Sequence, residues 1–367
     1  MRLRLEARSE PWPLAARLSP LVAAALMVVA GAALFATLGR DPAHALYTVF
    51  VHPLRDRNGV AELLLKASPL MLIATGLAVG FRANVWNIGA EGQLTLGAIL
   101  ATGVALRAGD ADSRLVLPAM IVAGALGGVL WAAIPAFLRT RLRASEILVS
   151  LMLVYVAALL LSWLVHGPWR DPEGFNFPQT RLFGQAALYP ILVENTRVNA
   201  SLLLSLVAVA AAAVFLDRSL LGFEMRVSGL AGAAARYAGF SADRSVWLGL
   251  LIGGAAAGIA GAGEVAGPIG QLLPSVSPGY GFAAIIVAFV GRLHPLGILL
   301  ASLLMSLLYL GGEAAQMQLD LPSAITGVFQ GLLLFFLLGT EALAHYRVTW
   351  RSGARRDAAG AAGGLEP

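Results

Sequence analysis

The chain has 367 residues, 58% of them hydrophobic and only 13% charged, with a formal net charge of +5 and no cysteine. A soluble domain carries about 25% charged residues, so this length does not divide into soluble domains, and disulfides, thiolate catalysis and cysteine-based metal sites are excluded. Lys66 is the only lysine, and the arginines are spread over short loops between apolar runs, a pattern that reads as membrane topology rather than nucleic-acid binding.

A basic stretch over 1–19 precedes the first apolar run, 20–38. That run is long enough to span a bilayer and lacks a convincing small-residue cleavage site, so it is read as a crossing and not as a signal peptide. Residues 39–61 form an external loop with a short surface helix in AHALYTVF. The next crossings are 62–81, 88–106, 115–138 and 146–165. The polar loop 166–198 is too rich in proline to be one helix. A sixth crossing, 199–216, leads to a second polar loop, 217–244, and then to a seventh crossing, 245–266. Three shorter pieces, 280–290, 295–311 and 322–338, close the membrane part. The tail from Glu341 is basic, then rich in glycine and alanine, and is expected to be disordered.

The chain therefore reads as an all-α integral membrane protein of about ten transmembrane helices, some of them broken, forming one transmembrane domain over 20–340. With the N-terminus in the cytoplasm, seventeen of the 26 lysines and arginines fall on cytoplasmic segments. The densest group is RTRLR at 139–143, and the bias predicts both termini inside. A faint similarity between NIGAEGQLTLGA (87–98) and SPGYGFAAIIVA (277–288) suggests two pseudo-related halves.

Residues 80–97, GFRANVWNIGAEGQLTLG, interrupt this apolar pattern most sharply. An unpaired polar group in hydrocarbon costs of order 2–7 kcal/mol, so the break must be buried in protein or line a watery cavity. Asn84, Asn87, Glu91 and Gln93 offer donors and acceptors suited to hydroxyls and nucleobase edges. Trp86 offers a ring that stacks on a flat solute or anchors at the interface. The plainer reading is that these groups cap broken helices and join neighbours. A second break, 267–297, contains Pro268, Pro274 and Pro278 with Gly267, Gly270 and Gly279, so no continuous helix runs through it. Broken helices leave backbone groups facing inward, and Gln271, Tyr280 and Phe282 are candidate lining residues. A simple external loop is the alternative there. Glu264 and Glu313 lie near the ends of their crossings. They reach the external interface in one reading and couple protons in another.

The stretch 221–245 is longer than a turn requires. It reads as a short amphipathic helix centred on 233–238, either a docking helix for a soluble subunit or a solvated loop. Other chemistry is absent. The only lysine lies in LLLKASP with no glycine before it, so the chain has no phosphate-cradling loop. No HExxH occurs and the five histidines are scattered, which gives no metal site. No serine with a partnering histidine and no paired intramembrane aspartates point to a protease.

Five blocks carry a family resemblance. NVWNIGAEGQLTLGA (84–98), LRASEILVSLMLVYVA (142–157), MRVSGLAGAAARYAGFSADR (225–244), GYGFAAIIVAFVGRLHPLGI (279–298) and LPSAITGVFQGLLLFF (321–336) occur in this order. Together they resemble the permease subunits of bacterial ABC importers of the simple-sugar and nucleoside branch, although such sequences often have Asn where Ser145 stands. The resemblance covers roughly 60–340, and the form NIGAEGQ is more similar to nucleoside permeases than to ribose ones. It implies a transport subunit, not an enzyme, in the bacterial cytoplasmic (inner) membrane, paired with a similar or identical permease. It also implies an external substrate-binding protein or lipoprotein, and an ABC ATPase that holds ATP and Mg, with no cofactor in this chain. The loop 217–244 would couple to the ATPase through Glu224, Arg226, Ala234, Arg236 and Gly239. The competing reading is an ion-coupled secondary transporter of a small polar solute, acting alone through Glu91 or Glu264. A membrane protein without transport is the third.

Overall fold

In chain order the elements are β1 (Arg2–Ala7), α1 (Pro13–Thr37), α2 (Pro42–Phe50), α3 (Arg57–Arg82), α4 (Ala90–Ala108), α5 (Val116–Leu142), α6 (Glu146–His166), α7 (Ser201–Arg218), α8 (Leu220–Leu230), α9 (Gly232–Tyr237), α10 (Ala242–Glu264), α11 (Tyr280–Val290), α12 (Pro295–Leu319), α13 (Ala324–His345) and β2 (Tyr346–Arg351). The computed structural model describes residues 2–8 and 13–351. Two compact bodies are distinguished: one made of the chain up to Pro42 and from Gly331 on, the other of Ala43–Gln330.

The ten expected crossings each meet a helix: α1, α3 to α7, and α10 to α13. Among the described residues, eight helices are long and apolar enough to cross a membrane. The exceptions are α4, whose first turn holds Glu91 and Gln93, and α11, whose 11 residues reach only about 16 Å of the roughly 30 Å of hydrocarbon.

In the first body, β1 and β2 pair antiparallel, with Arg2 opposite Arg351 and Ala7 opposite Tyr346. The sequence reading expects disorder from Glu341; instead α13 continues to His345 and β2 follows it. Residues 2–5 alternate Arg and Leu at the strand period, and 346–351 hold Tyr, Val, Thr and Trp, all strand formers. Their partnership is hard to see because the two segments lie at opposite ends of the chain. Thr340 Oγ1 donates to the Ser19 carbonyl at 3.4 Å and so ties α13 to α1. The far tail, 352–367, lies outside the described residues.

In the second body, helix starts follow local capping chemistry. Asp56 accepts from the Gly59 N–H at the head of α3 (3.0 Å), Ser219 from Gly222 at the head of α8 (2.9 Å) and Ser241 from Arg244 at the head of α10 (3.3 Å). Each oxygen satisfies an N–H that has no partner within its helix. Helices α12 and α13 run well past the expected ends at 311 and 338, because Glu313, Gln316 and Gln318 read as loop while the helix simply continues.

Helix α3 is central, with 83% of its most apolar window buried, whereas the figure for α7 is 22%. Around α3, α4, α5 and α10 cross with backbones nearly touching. A Cβ on Gly128 would land on the Gly254 carbonyl oxygen, one on Gly258 on that of Gly124, and one on Gly97 on that of Gly258. These glycines are what permits the approach, and in a bilayer such close packing supplies much of the attraction between helices.

Candidate functional site

Helix α3 ends at Arg82 and α4 begins at Ala90, and the seven residues between them leave the helical path. Asn84 turns the chain with φ +56°. From there the segment runs without helical bonding to Gly89, the N-cap of α4. Asn87 of this segment and Gln93 of α4 form a closed amide pair. Asn87 Nδ2 donates to Gln93 Oε1 at 2.8 Å, Gln93 Nε2 donates to Asn87 Oδ1 at 3.1 Å, and the Gly89 N–H also donates to Asn87 Oδ1 at 3.1 Å. Both side chains are 1% exposed, so in this conformation their amides are spent on each other and on the head of α4.

The second break mirrors the first. Helix α10 ends at Glu264 and the chain makes a π-turn over Val265–Ile269. It then runs irregularly to Gly279, the N-cap of α11 at φ +93°. Ser277 Oγ accepts from the Gly279 N–H at 3.1 Å, as Asn87 Oδ1 accepts from Gly89. The weak alignment of 87–98 on 277–288 puts Asn87 on Ser277, Gly89 on Gly279 and Glu91 on Gly281. The last pair touch: the Gly281 N–H donates to Glu91 Oε2 at 2.6 Å, and a Cβ on Gly281 would collide with the Glu91 backbone. Contact between equivalent positions is what a local two-fold relation between two segments produces.

The heads of α4 and α11 thus meet, and the Glu91 carboxyl serves both. It lies in the first turn of its own helix and caps an otherwise orphaned N–H of α11, where the helix dipole favours an acidic group. The far ends of the two helices meet different partners. The far end of α4 is met by Arg181 of the loop 167–200, which donates to the Leu106 carbonyl at 2.5 Å. Just past the far end of α11, the Leu293 carbonyl accepts from Arg82 Nε at 3.0 Å.

The remaining expected lining residues are not all gathered at the junction. Trp86 stacks on Phe289 and packs at a tilt against Phe81, at ring centroid distances of 5.6 and 5.3 Å. Its indole N–H donates to Asn84 Oδ1 at 3.0 Å. Tyr280 is buried edge-on against Tyr309 at 5.4 Å, next to the Glu91 junction. Gln271 stands apart, donating to Gln179 at 3.3 Å, and Phe282 is 40% exposed on the outside of α11. Glu264 is buried at 8% exposure, while Glu313 pairs with Lys66 at 2.9 Å.

The loop expected to dock a partner forms two helices rather than one, α8 and α9. Asp217 links Arg226 (3.2 Å) and Arg82 (3.9 Å). Arg82 in turn reaches Leu293, so α8 is tied to the ends of α3 and α11. Gly229 abuts the Arg82 carbonyl, and Glu224 lies 4.0 Å from Arg244 at the head of α10. Ala234, Arg236 and Gly239 are exposed, and Gly239 has φ +84° with open space around it. Two residues missed from sequence also project here, Leu230 at 82% and Tyr237 at 98% exposure. A large apolar or aromatic side chain beside a run of small residues in a polar loop is the signal that would have found them.

Residues 59–338 match the family described as Branched-chain amino acid transport system / permease component. The chain belongs to that permease family. It is 37% identical over 338 residues to the glucose ABC transporter permease protein TsgB13 of Haloferax volcanii, covering 89% of this chain and 88% of that one. It is 30% identical over 328 residues to the nucleoside ABC transporter permease protein NupB of Lactococcus lactis, covering 87% and 90%. It is 27% identical over 331 residues to the guanosine ABC transporter permease protein NupP of Bacillus subtilis, covering 89% and 94%. No solved structure matches it. The permease is therefore the membrane component of an ABC transporter.

Proposed function

We propose that this permease is one of two membrane subunits of an ATP-driven importer that moves nucleosides or related simple sugars across the cytoplasmic membrane, with both termini on the cytoplasmic side. An external binding protein or lipoprotein delivers the solute, and a second permease, similar or identical, completes the pathway. ATP and Mg are held by a partner ATPase docked on α8 and α9. The observation that carries this reading is the polar chain Arg226, Asp217, Arg82 and Leu293, which joins an exposed small-residue surface to α11 and so to the junction at Glu91. Rigid-body movement of α8 has a direct route to the broken helices, which is what alternating access by an external motor requires. The relatives named for glucose and nucleosides support the solute class, as do the many amide and hydroxyl groups around the breaks.

The coupling surface gives the test. Arg236→Glu reverses an exposed charge, and Gly239→Trp adds bulk where φ is positive. Each is expected to lower solute-stimulated ATP hydrolysis by the assembled complex about tenfold, within the usual range of coupling between linked sites. Solute capture by the external binding protein stays unchanged. Wild-type hydrolysis rates in both variants reject the coupling role of α9.

A further inference from the structure

The face that carries the Lys66–Glu313 pair also holds an open cleft of about 480 Å³ between α12, the start of α13 and the chain just before α11. Its walls include Tyr309, Glu313, Gln316, Ser323, Thr326 and Gln330. The volume lies within the roughly 300–1,000 Å³ of small-molecule sites. The polar side chains of the lining are two amides, three hydroxyls and one carboxylate, and glycine, alanine and proline complete the walls. The carboxylate is already joined to Lys66, and no cation lines the walls. A second cleft of similar volume is lined by Arg107, Arg170 and Arg181, so the two openings differ in chemistry: one basic, one neutral and rich in hydrogen-bonding groups.

Two details point to an occupant in the neutral cleft. Gln330 Nε2 is enclosed and lies against the Tyr309 hydroxyl, yet no acceptor stands within full hydrogen-bond distance of it, so the donor is under-used at a cost that a bound acceptor would recover. Tyr309, which is 7% exposed, forms part of the cleft wall. Its hydroxyl lies 3.4 Å from the Pro278 carbonyl and its ring packs on Tyr280. The cleft therefore borders the head of α11, where Glu91 caps the helix. A sugar ring presents hydroxyls in several directions and apolar C–H faces, which amides, hydroxyls and an aromatic ring together satisfy.

We propose that this cleft receives the neutral polyhydroxylated part of the transported solute, a sugar ring or the ribose of a nucleoside, before the solute reaches the α4–α11 junction. The inference rests on the permease reading above. Gln330 donates to a solute hydroxyl, Gln316 and Thr326 bind others, and Tyr309 supplies an apolar surface.

The chain has no cysteine, so single thiols report on the cleft directly. Ser323→Cys is nearly isosteric, and Gly327→Cys places its Cβ in open space. ATP-dependent uptake of glucose and guanosine by the wild-type complex is measured first. If neither is taken up, the permease reading fails by itself, and the cleft proposal with it. With a transported solute identified, the two cysteine variants are labelled by a charged, membrane-impermeant methanethiosulfonate, in the permease–ATPase complex without its binding protein, against the wild-type complex as background. Labelling is expected to slow when the solute is added at millimolar concentration. In the full complex, Gln330→Leu is expected to raise the uptake KM about tenfold with the maximal rate nearly unchanged, as loss of one hydrogen bond in binding predicts. Labelling that the transported solute leaves unchanged, or a wild-type KM in Gln330→Leu, overturns the proposal while the uptake itself leaves the permease reading standing.

Discussion

Gly281→Val is expected to abolish uptake and to destabilise the permease by about 3 kcal/mol or more, the upper range for overpacking a tight contact. A side chain at this position meets the Glu91 backbone, not the flexible end of a neighbouring side chain. No rotamer escapes that collision, so the heads of α4 and α11 must separate. Separation breaks the bond from the Gly281 N–H to Glu91, weakens the further bonds of that carboxyl to Ser277 and Gly279 and leaves a helix N–H without its acceptor. Both costs fall on the one place where the two broken helices meet. Glu91→Gln keeps the shape and one acceptor oxygen but removes the acidic group, so it is expected to reduce uptake less severely. Gly339→Ala, where nothing lies within reach of the added carbon, serves as a control with wild-type behaviour. Thermal unfolding of the purified permease in detergent, together with uptake in vesicles, checks all three. A Gly281→Val protein with wild-type melting and transport removes the junction from the account.

Asn87→Leu has the second largest expected effect. The substitution strands both polar ends of the Gln93 amide and the Gly89 N–H, all buried. Each stranded group costs about 1–3 kcal/mol. The double variant Asn87→Leu/Gln93→Leu removes both amides together and is expected to be more stable than the sum of the single effects, with an interaction energy of at least about 1 kcal/mol. The melting temperatures of the four proteins close this cycle. Transport kinetics separate the two roles open to the pair. If the amides only brace the head of α4, the double variant recovers uptake along with stability. If they also touch solute in another state of the transport cycle, stability recovers and a raised KM remains. Additive melting effects contradict the pairing seen here.

The membrane architecture is legible in the sequence because lipid leaves the chain few choices: every apolar run of sufficient length became a helix. The first break was visible as well, since Asn84, Asn87, Glu91 and Gln93 have no other reason to interrupt an apolar run. Their partners were not visible. Asn87 and Gln93 are six residues apart, which is not a helical neighbour spacing, and they meet only because 84–89 leave the helix. The bond between Glu91 and Gly281 spans 190 residues, and only the faint likeness of 87–98 to 277–288 hinted at it. The neutral cleft was obscured for a different reason. Glu313 and Gln316 read as the end of a crossing, while Gln330 sits singly in an otherwise apolar helix. The β1–β2 ribbon needed the two ends of the chain to be compared with each other.

Under the proposed function this chain is a passive, articulated conduit driven through α8 and α9 by a separate ATPase. Uptake of radiolabelled nucleoside or sugar into proteoliposomes tests it most directly, comparing the permease alone under an imposed proton or sodium gradient with the complete complex supplied with ATP. The account predicts no uptake by the permease alone under either gradient, and uptake by the complex that ceases when the ATPase cannot hydrolyse ATP. Gradient-driven accumulation by the permease alone would contradict it.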